Sequence, residues 1–272
     1  MIQLPSVNNL KLDFDHSWLT IWFNRIDNRN ALSKGLIADI ILVLDTVHDN
    51  RSVRGITFRG KGGFFCAGAD LKAMKNLSNA GEKKKQLAID ISTTAGEFLN
   101  RINNAPQITV SAVEGAAMAG GFGLSCATDF LVAMSDSKFA LTETQIGLTP
   151  AQISPYVLRR LNFSQAKKLL LLGAQINGRK AKKIGMADYC VDNKEEMDKC
   201  LIDIRNQVLK CAPNAVAITK KIILESQPID IKIAADLFSD CLIGDEGQDG
   251  FNSFFEKRKP FWDLNKGEHE KV

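Results

Sequence analysis

Two glycine-rich segments carry the strongest chemical signal in this chain: Phe64-Phe65-Cys66-Ala67-Gly68-Ala69-Asp70-Leu71-Lys72 and Met118-Ala119-Gly120-Gly121-Phe122-Gly123. Each follows a β-rich stretch, residues 54–60 and 107–113, and precedes a helical pattern. At such a strand-to-helix turn, small residues let main-chain N–H groups approach a ligand with no Cβ in the way. Two turns of this kind can aim two N–H donors at one developing oxyanion, as acyl-thioester chemistry requires. A lone glycine turn opening a helix is more often ordinary packing, so the pair matters more than either member. Downstream lies Glu143, in Thr142-Glu143-Thr144. Taken alone, a glutamate in a Thr-rich segment reads as surface or as a hydrogen-bonded helix start.

The elements that must position these residues are visible as periodicities. Leu19 to Phe23 reads as a strand, and Ser33 as the N-cap of a helix in which Leu36, Ile37, Ile40, Leu44 and Val47 keep helical spacing. A strand at 55–58 enters the first turn. After a charged stretch at 79–85, a long helix carries the stripe Leu87, Ile91, Ala95, Phe98 and Ile102, and Pro106 follows its end. A strand through Val110 enters the second turn, and a strand at 130–133 leads on to Glu143. This order predicts an α/β fold with a sheet-rich core. From about Met197 only helical patterns remain, at 197–211, 213–224, 229–243 and 247–257. The division expected is residues 1–196 as the core with the active site and 197–272 as a helical C-terminal subdomain.

Composition narrows the classes of function. The 272 residues are 45% hydrophobic and 24% charged, which suits a folded globular chain with a good core. A net charge of +4 suits an anionic ligand without demanding nucleic acid. The lysine runs at 83–85, 182–183 and 220–221 read as solvated helix faces. Six cysteines show no CxxC spacing, and three histidines form no ligand cluster, so no metal site is expected. The cysteines read as small buried hydrophobes in a reducing compartment. The N-terminus lacks a basic-then-apolar signal, and no apolar run approaches a membrane span. A soluble, cytoplasmic protein is expected.

Beyond these readings, the chain resembles the crotonase (enoyl-CoA hydratase/isomerase) superfamily. The resemblance rests on Asn30-Ala31-Leu32-Ser33, FCAGADLKAM at 65–74, VEGAAMAGGFGLSCATD at 113–129, FALTETQIGLTPAQISPYVLRRL at 139–161 and FFEKRKPFW at 254–262. It implies a ββα superhelix core with an all-helical C-terminal trimerisation subdomain, assembled as trimers or as dimers of trimers. It makes the N–H groups of Ala69 and Gly120 an oxyanion hole for a thioester, and Glu143 the catalytic acid/base. Asp70 is expected to brace the first turn. For the coenzyme A portion of the substrate it implicates Arg29, Ala31, Ala69, Asp70, Leu71 and Lys72, with Phe254 and Lys257 from the C-terminal end. No separate cofactor is expected, because coenzyme A belongs to the substrate.

One departure bears on the chemistry. Familiar hydratases of the family hold a water between two glutamates, and the position of the first is Gly123 here. One glutamate suffices to shuttle a proton between carbons, which is isomerase chemistry. It also suffices to activate a water that other groups hold. Gly-Phe-Gly followed by Pro150-Ala151-Gln152-Ile153-Ser154-Pro155-Tyr156 is similar to the subgroup of methylglutaconyl-CoA and isohexenylglutaconyl-CoA hydratases, of leucine and acyclic terpene breakdown. Gln152, Ser154 and Tyr156 then read either as a rigid proline-bounded turn or as polar support for the water or a distal carboxylate. Glu114, just before the second turn, ranks below Glu143 as an acid. Two other functions stand behind hydration: a single-glutamate enoyl-CoA isomerase, and an RNA-binding or scaffold relative with little catalysis.

Overall fold

The computed structural model describes residues 2–70, 81–225 and 229–264. Among these residues nine strands form two sheets. The larger is ordered β1 (Leu10–Asp15), β2 (Trp18–Phe23), β3 (Gly55–Gly60), β4 (Ile108–Val113), β6 (Phe130–Met134) and β9 (Tyr189–Val191). Its first pair is an antiparallel hairpin and every later pair is parallel. The smaller sheet joins β5 (Ala116–Met118), β7 (Lys138–Ala140) and β8 (Ile176–Asn177). It departs from the simple strand–helix reading because its strands are too short for a period-2 pattern to show.

The helices of the described residues are α1 (Lys34–Val47), α2 (Lys84–Asn103), α3 (Gly120–Ala127), α4 (Ser154–Arg160), α5 (Phe163–Leu172), α6 (Gly178–Lys183), α7 (Lys194–Leu209), α8 (Pro213–Leu224), α9 (Ile231–Ile243) and α10 (Asp245–Glu256). Ser33 caps α1 as expected, its Oγ accepting from Leu36 N–H at 3.2 Å. The apolar side of α1 (Leu36, Ile40, Val43, Leu44 and Val47) is buried in one core cluster with Phe23, Ile56 and Phe58 of the sheet. The stripe on α2 behaves differently. Phe98 and Ile102 are buried, but Leu87 and Ile91 are exposed, because the first half of the helix runs out beyond the chain's own core.

The change of character expected near residue 197 falls inside α7. Met197, Ile204 and Val208 of that helix pack on Trp18, Val110, Ala112 and Val132, so α7 covers the second face of the sheet. Helix α8 is pinned by buried Lys220, whose Nζ donates to Asp129 Oδ2 at 2.6 Å and to the Gln107 carbonyl at 3.0 Å. Beyond α8 the helices expose large apolar side chains, among them Ile231, Phe238, Ile243, Phe254 and Phe255.

Candidate active site

Three short parallel segments end at the same level and deliver the candidate groups. Cys66 bridges Ala117, and Ala117 pairs with Phe139. A few residues past each of these the chain reaches Ala69, Gly120 and Glu143 respectively. The main chain knits the segments together: Cys66 N–H donates to Ala116 O, and Met118 N–H to Cys66 O, both at 2.9 Å. The third joins through Ala119 N–H, which donates to Ala140 O at 2.8 Å. Register thus gathers three groups far apart in sequence.

The approach is close enough to require glycine. A Cβ on Gly121 would lie 2.6 Å from Cys66 Cβ, and one on Gly68 (φ +96°) would lie 3.0 Å from Ala119 Cβ. Ala119 itself adopts φ 47° and ψ −115°, a strained conformation for a residue with a side chain. Its carbonyl accepts from Gly123 N–H at 3.0 Å. Gly120 follows as the first residue of α3, where an N–H has no acceptor within the helix and the helix dipole favours negative charge. Ala69 is set by a parallel bridge to Leu32: Leu32 N–H donates to Gly68 O at 2.8 Å, and Asp70 N–H to Leu32 O at 3.3 Å. In that pattern the N–H of Ala69 itself points away from Leu32. Among the described residues, neither Ala69 N–H nor Gly120 N–H meets an acceptor.

Glu143 opens a 3₁₀ turn, Glu143–Ile146, that ends at Gly147 in the left-handed region. Its Oε2 is buried and has no hydrogen-bond partner among the described residues. Burial pushes its carboxyl above the usual carboxylate range. A desolvated carboxyl with one unpartnered oxygen is what proton transfer near neutral pH calls for.

The place beside Gly123 is not open. A Cβ there would lie 2.8 Å from Ile153 Cγ1 and within 3.3 Å of Cγ2 and Cδ1. An apolar side chain therefore fills the space that the sequence suggests for a water's second support. The neighbouring polar groups are engaged elsewhere: Gln152 Nε2 donates to Ser92 Oγ at 3.2 Å, and Ser154 Oγ to Pro150 O at 2.9 Å. Gln152 Oε1 also occupies the Cβ space of Gly96 on α2. Of the two readings of this segment, the rigid turn describes Gln152 and Ser154. Tyr156 is partly buried against the core, and burial raises its phenol pKa.

Four of the residues expected at coenzyme A gather around the first turn. Arg29 adopts φ 49° and its guanidinium lies 5.3 Å from the Phe64 ring centroid. The Ala31 carbonyl accepts from Arg25 Nη1 at 2.8 Å, and Arg25 Nη2 also reaches Asp70 Oδ2 at 3.4 Å. Arg25 thus ties Ala31 and Asp70, flanking Ala69, to one side chain, a role without a local sequence signal. Leu71 and Lys72 lie outside the described residues. Phe254 and Lys257 are not brought to this turn. The C-terminal end is held at the start of β3, where Arg54 Nη1 donates to Trp262 O at 2.9 Å, whereas the Ala69 turn follows the other end of that strand. Among the described residues no group of His, Cys, Asp or Glu side chains is arranged to hold a metal ion.

Comparison with known proteins defines the class. Residues 13–265 match the enoyl-CoA hydratase/isomerase family, and the chain belongs to it. Human enoyl-CoA hydratase domain-containing protein 2, mitochondrial, is 31% identical over 255 residues, covering 90% of this chain and 85% of that protein. Human methylglutaconyl-CoA hydratase, mitochondrial, is 28% identical over 251 residues, covering 89% of this chain and 72% of that protein. The solved structure of Pseudomonas aeruginosa AtuE superimposes with a TM-score of 0.90 at 37% identity, covering 94% of this chain and all (100%) of that one. The fold is the crotonase fold, and the family acts on acyl-CoA thioesters. No helix among the described residues is long and apolar enough to cross a membrane.

Proposed function

We propose that this protein is an enoyl-CoA hydratase that adds water to a 2-enoyl-CoA of the glutaconyl type, such as 3-methylglutaconyl-CoA or isohexenylglutaconyl-CoA. The observation that carries the reading is the buried, unpartnered Oε2 of Glu143, set by strand register beside the turn of Gly120. The likeness to methylglutaconyl-CoA hydratase supports the substrate class. Ionised Glu143 takes a proton from water as the water oxygen bonds to C3 of the enoyl chain. The π electrons move onto the thioester oxygen, where Ala69 N–H and Gly120 N–H stabilise the enolate, each donor contributing about 3 kcal/mol in the transition state. Glu143 then returns the proton to C2, and 3-hydroxyacyl-CoA leaves. Coenzyme A arrives with the substrate, and no further cofactor takes part.

Ile153 over Gly123 favours a second reading, a single-glutamate enoyl-CoA isomerase, because an apolar flank suits proton shuttling between carbons. Loss of 2-enoyl absorbance with 3-methylglutaconyl-CoA tests the first. Conversion of a 3-enoyl-CoA to the 2-enoyl isomer without hydration would decide for the second. Salt-sensitive RNA binding without turnover of either substrate would replace both with the scaffold reading.

The exposed apolar residues of α9 and α10 support assembly into a trimer or hexamer. In such an assembly, Phe254 and Lys257 would meet the nucleotide end of a coenzyme A bound to an adjacent subunit. Sedimentation equilibrium tests the assembly, and a monomer at micromolar concentration would remove it. Six free cysteines are in keeping with a reducing compartment such as the cytoplasm.

A further inference from the structure

Two charged side chains that take no part in that chemistry are buried next to it. Arg59, 7% exposed, is the residue before Gly60 at the end of β3, and Glu114, 8% exposed, immediately follows β4. Arg59 Nε donates to Glu114 Oε1 at 3.0 Å, and Nη2 donates to the same oxygen. Nη1 donates to Asp198 Oδ1 of α7 at 2.5 Å, and the guanidinium lies 4.8 Å from the centroid of the Trp22 ring. Glu114 is therefore held in an ion pair and is not placed to act as the alternative acid.

The main chain at both partners leads straight into the two turns. Phe65 N–H donates to the Glu114 carbonyl at 2.9 Å. The residue after each partner is a glycine with no room for a Cβ, Gly60 against Phe64 of its own loop and Gly115 against Gly63 of the other. A Cβ on Gly60 would lie 1.8 Å from Phe64 O, and one on Gly115 (φ +68°) would lie 2.0 Å from Gly63 O. From Arg59 the chain runs through this contact to Ala69, and from Glu114 it runs to Gly120. A buried ion pair adds little stability over a well-packed apolar pair, so stability alone is a poor account of it. Two guanidinium N–H groups converging on one carboxylate oxygen fix distance and orientation, which apolar contact does not.

We propose that the Arg59–Glu114 pair is a positioning clamp: it sets the spacing of the two glycine turns, and through them the aim of the Ala69 and Gly120 N–H groups. The clamp touches no substrate and acts only through the main chain. It rests on the reading of those two N–H groups as an oxyanion hole.

Three variants, R59K, E114Q and the apolar pair R59M/E114L, test it by three readouts: thermal midpoint, kcat and KM for 2-enoyl-CoA hydration, and the thioester carbonyl stretch of bound acyl-CoA. The stretch is measured in each clamp variant and in wild type with a ¹³C=O label. The apolar pair is expected to keep a near-native thermal midpoint while kcat falls on the order of 10- to 100-fold, as small misplacements near reacting groups do, with KM little changed. The carbonyl shift to low frequency seen in wild type should shrink in parallel. R59K, which keeps charge but loses the two converging N–H groups, should fall between. If R59M/E114L does not fold, E114Q carries the test, because it keeps the shape and the accepting oxygen of Glu114 while removing the charge that holds the guanidinium. Native kcat and an unaltered carbonyl shift in a folded clamp variant would overturn the clamp while leaving the oxyanion hole standing. Absence of any carbonyl shift in wild type would overturn the oxyanion hole, and the clamp with it.

Discussion

The two sides of the candidate site are built in opposite ways. The turns carrying Ala69 and Gly120 are sewn together by main-chain hydrogen bonds of 2.9 Å, and Gly68 and Gly121 leave no room for a side chain between them. The Glu143 side is a single 3₁₀ turn in a largely exposed stretch, 144–149. It is tied to the end of α5 by Thr144 Oγ1 donating to Leu171 O at 3.3 Å and by Gln145 Nε2 donating to Leu172 O at 3.1 Å. The difference follows from what each side must supply. A main-chain donor cannot adjust once the fold is set, so its aim has to be fixed by packing. A carboxyl has rotatable bonds and must pass a proton between two carbons or a carbon and a water. It needs desolvation more than rigidity, and burial of Oε2 provides that.

The comparison breaks most sharply at the acid. Glu143→Gln keeps the shape and removes the proton carrier, so turnover should fall on the order of 10²–10⁴-fold with acyl-CoA affinity retained. Steady-state kinetics beside calorimetric binding measures both, and near-native turnover would remove Glu143 from the mechanism. Next comes the rigid side. Gly120→Val places a Cβ 2.8 Å from Leu32 Cδ1 and should lower kcat on the order of 10²–10³-fold in protein that still folds. Wild-type rates in that variant would show that the Gly120 N–H does not face the thioester.

A third variant sits where the two sides meet. Gly123→Glu restores the second carboxylate of familiar hydratases but collides with Ile153. The overpacking should cost about 1–3 kcal/mol and bring no gain in hydration. Adding Ile153→Ala should recover part of that stability, which a denaturation cycle over the two single variants and the double variant would read as coupling. Additive effects would mean that Ile153 yields without strain.

The smallest effect is thermodynamic. Burial holds the Glu143 pKa above the ordinary value, so the folded state binds this proton more tightly than the unfolded chain. Stability is therefore lost as pH rises past the unfolded value, and the loss is complete above the folded one. Glu143→Gln should accordingly melt slightly higher than wild type at neutral pH, with the gap closing as pH falls through the carboxylate range. A gap independent of pH would show that burial of the charge is not its cause.

Much of this architecture was legible in the residues because its causes are local. The paired glycine turns, the Ser33 cap and the limits of Pro213–Leu224 depend on conformational freedom, capping and helical period, all written within a few positions. Glu143 became legible only through its flanking match, since its exposure, partner and pKa come from what packs on it. Local pattern misled where burial depends on distant chain. Leu87 and Ile91 keep the helical stripe yet face outward. Tertiary structure alone decided that Ile153 closes the space at Gly123, that Gln152 turns to Ser92, and that Arg59 and Glu114 pair beneath the two turns. Each of these is a contact between residues that sequence separates widely, and its geometry exists only once parallel register has brought the segments side by side.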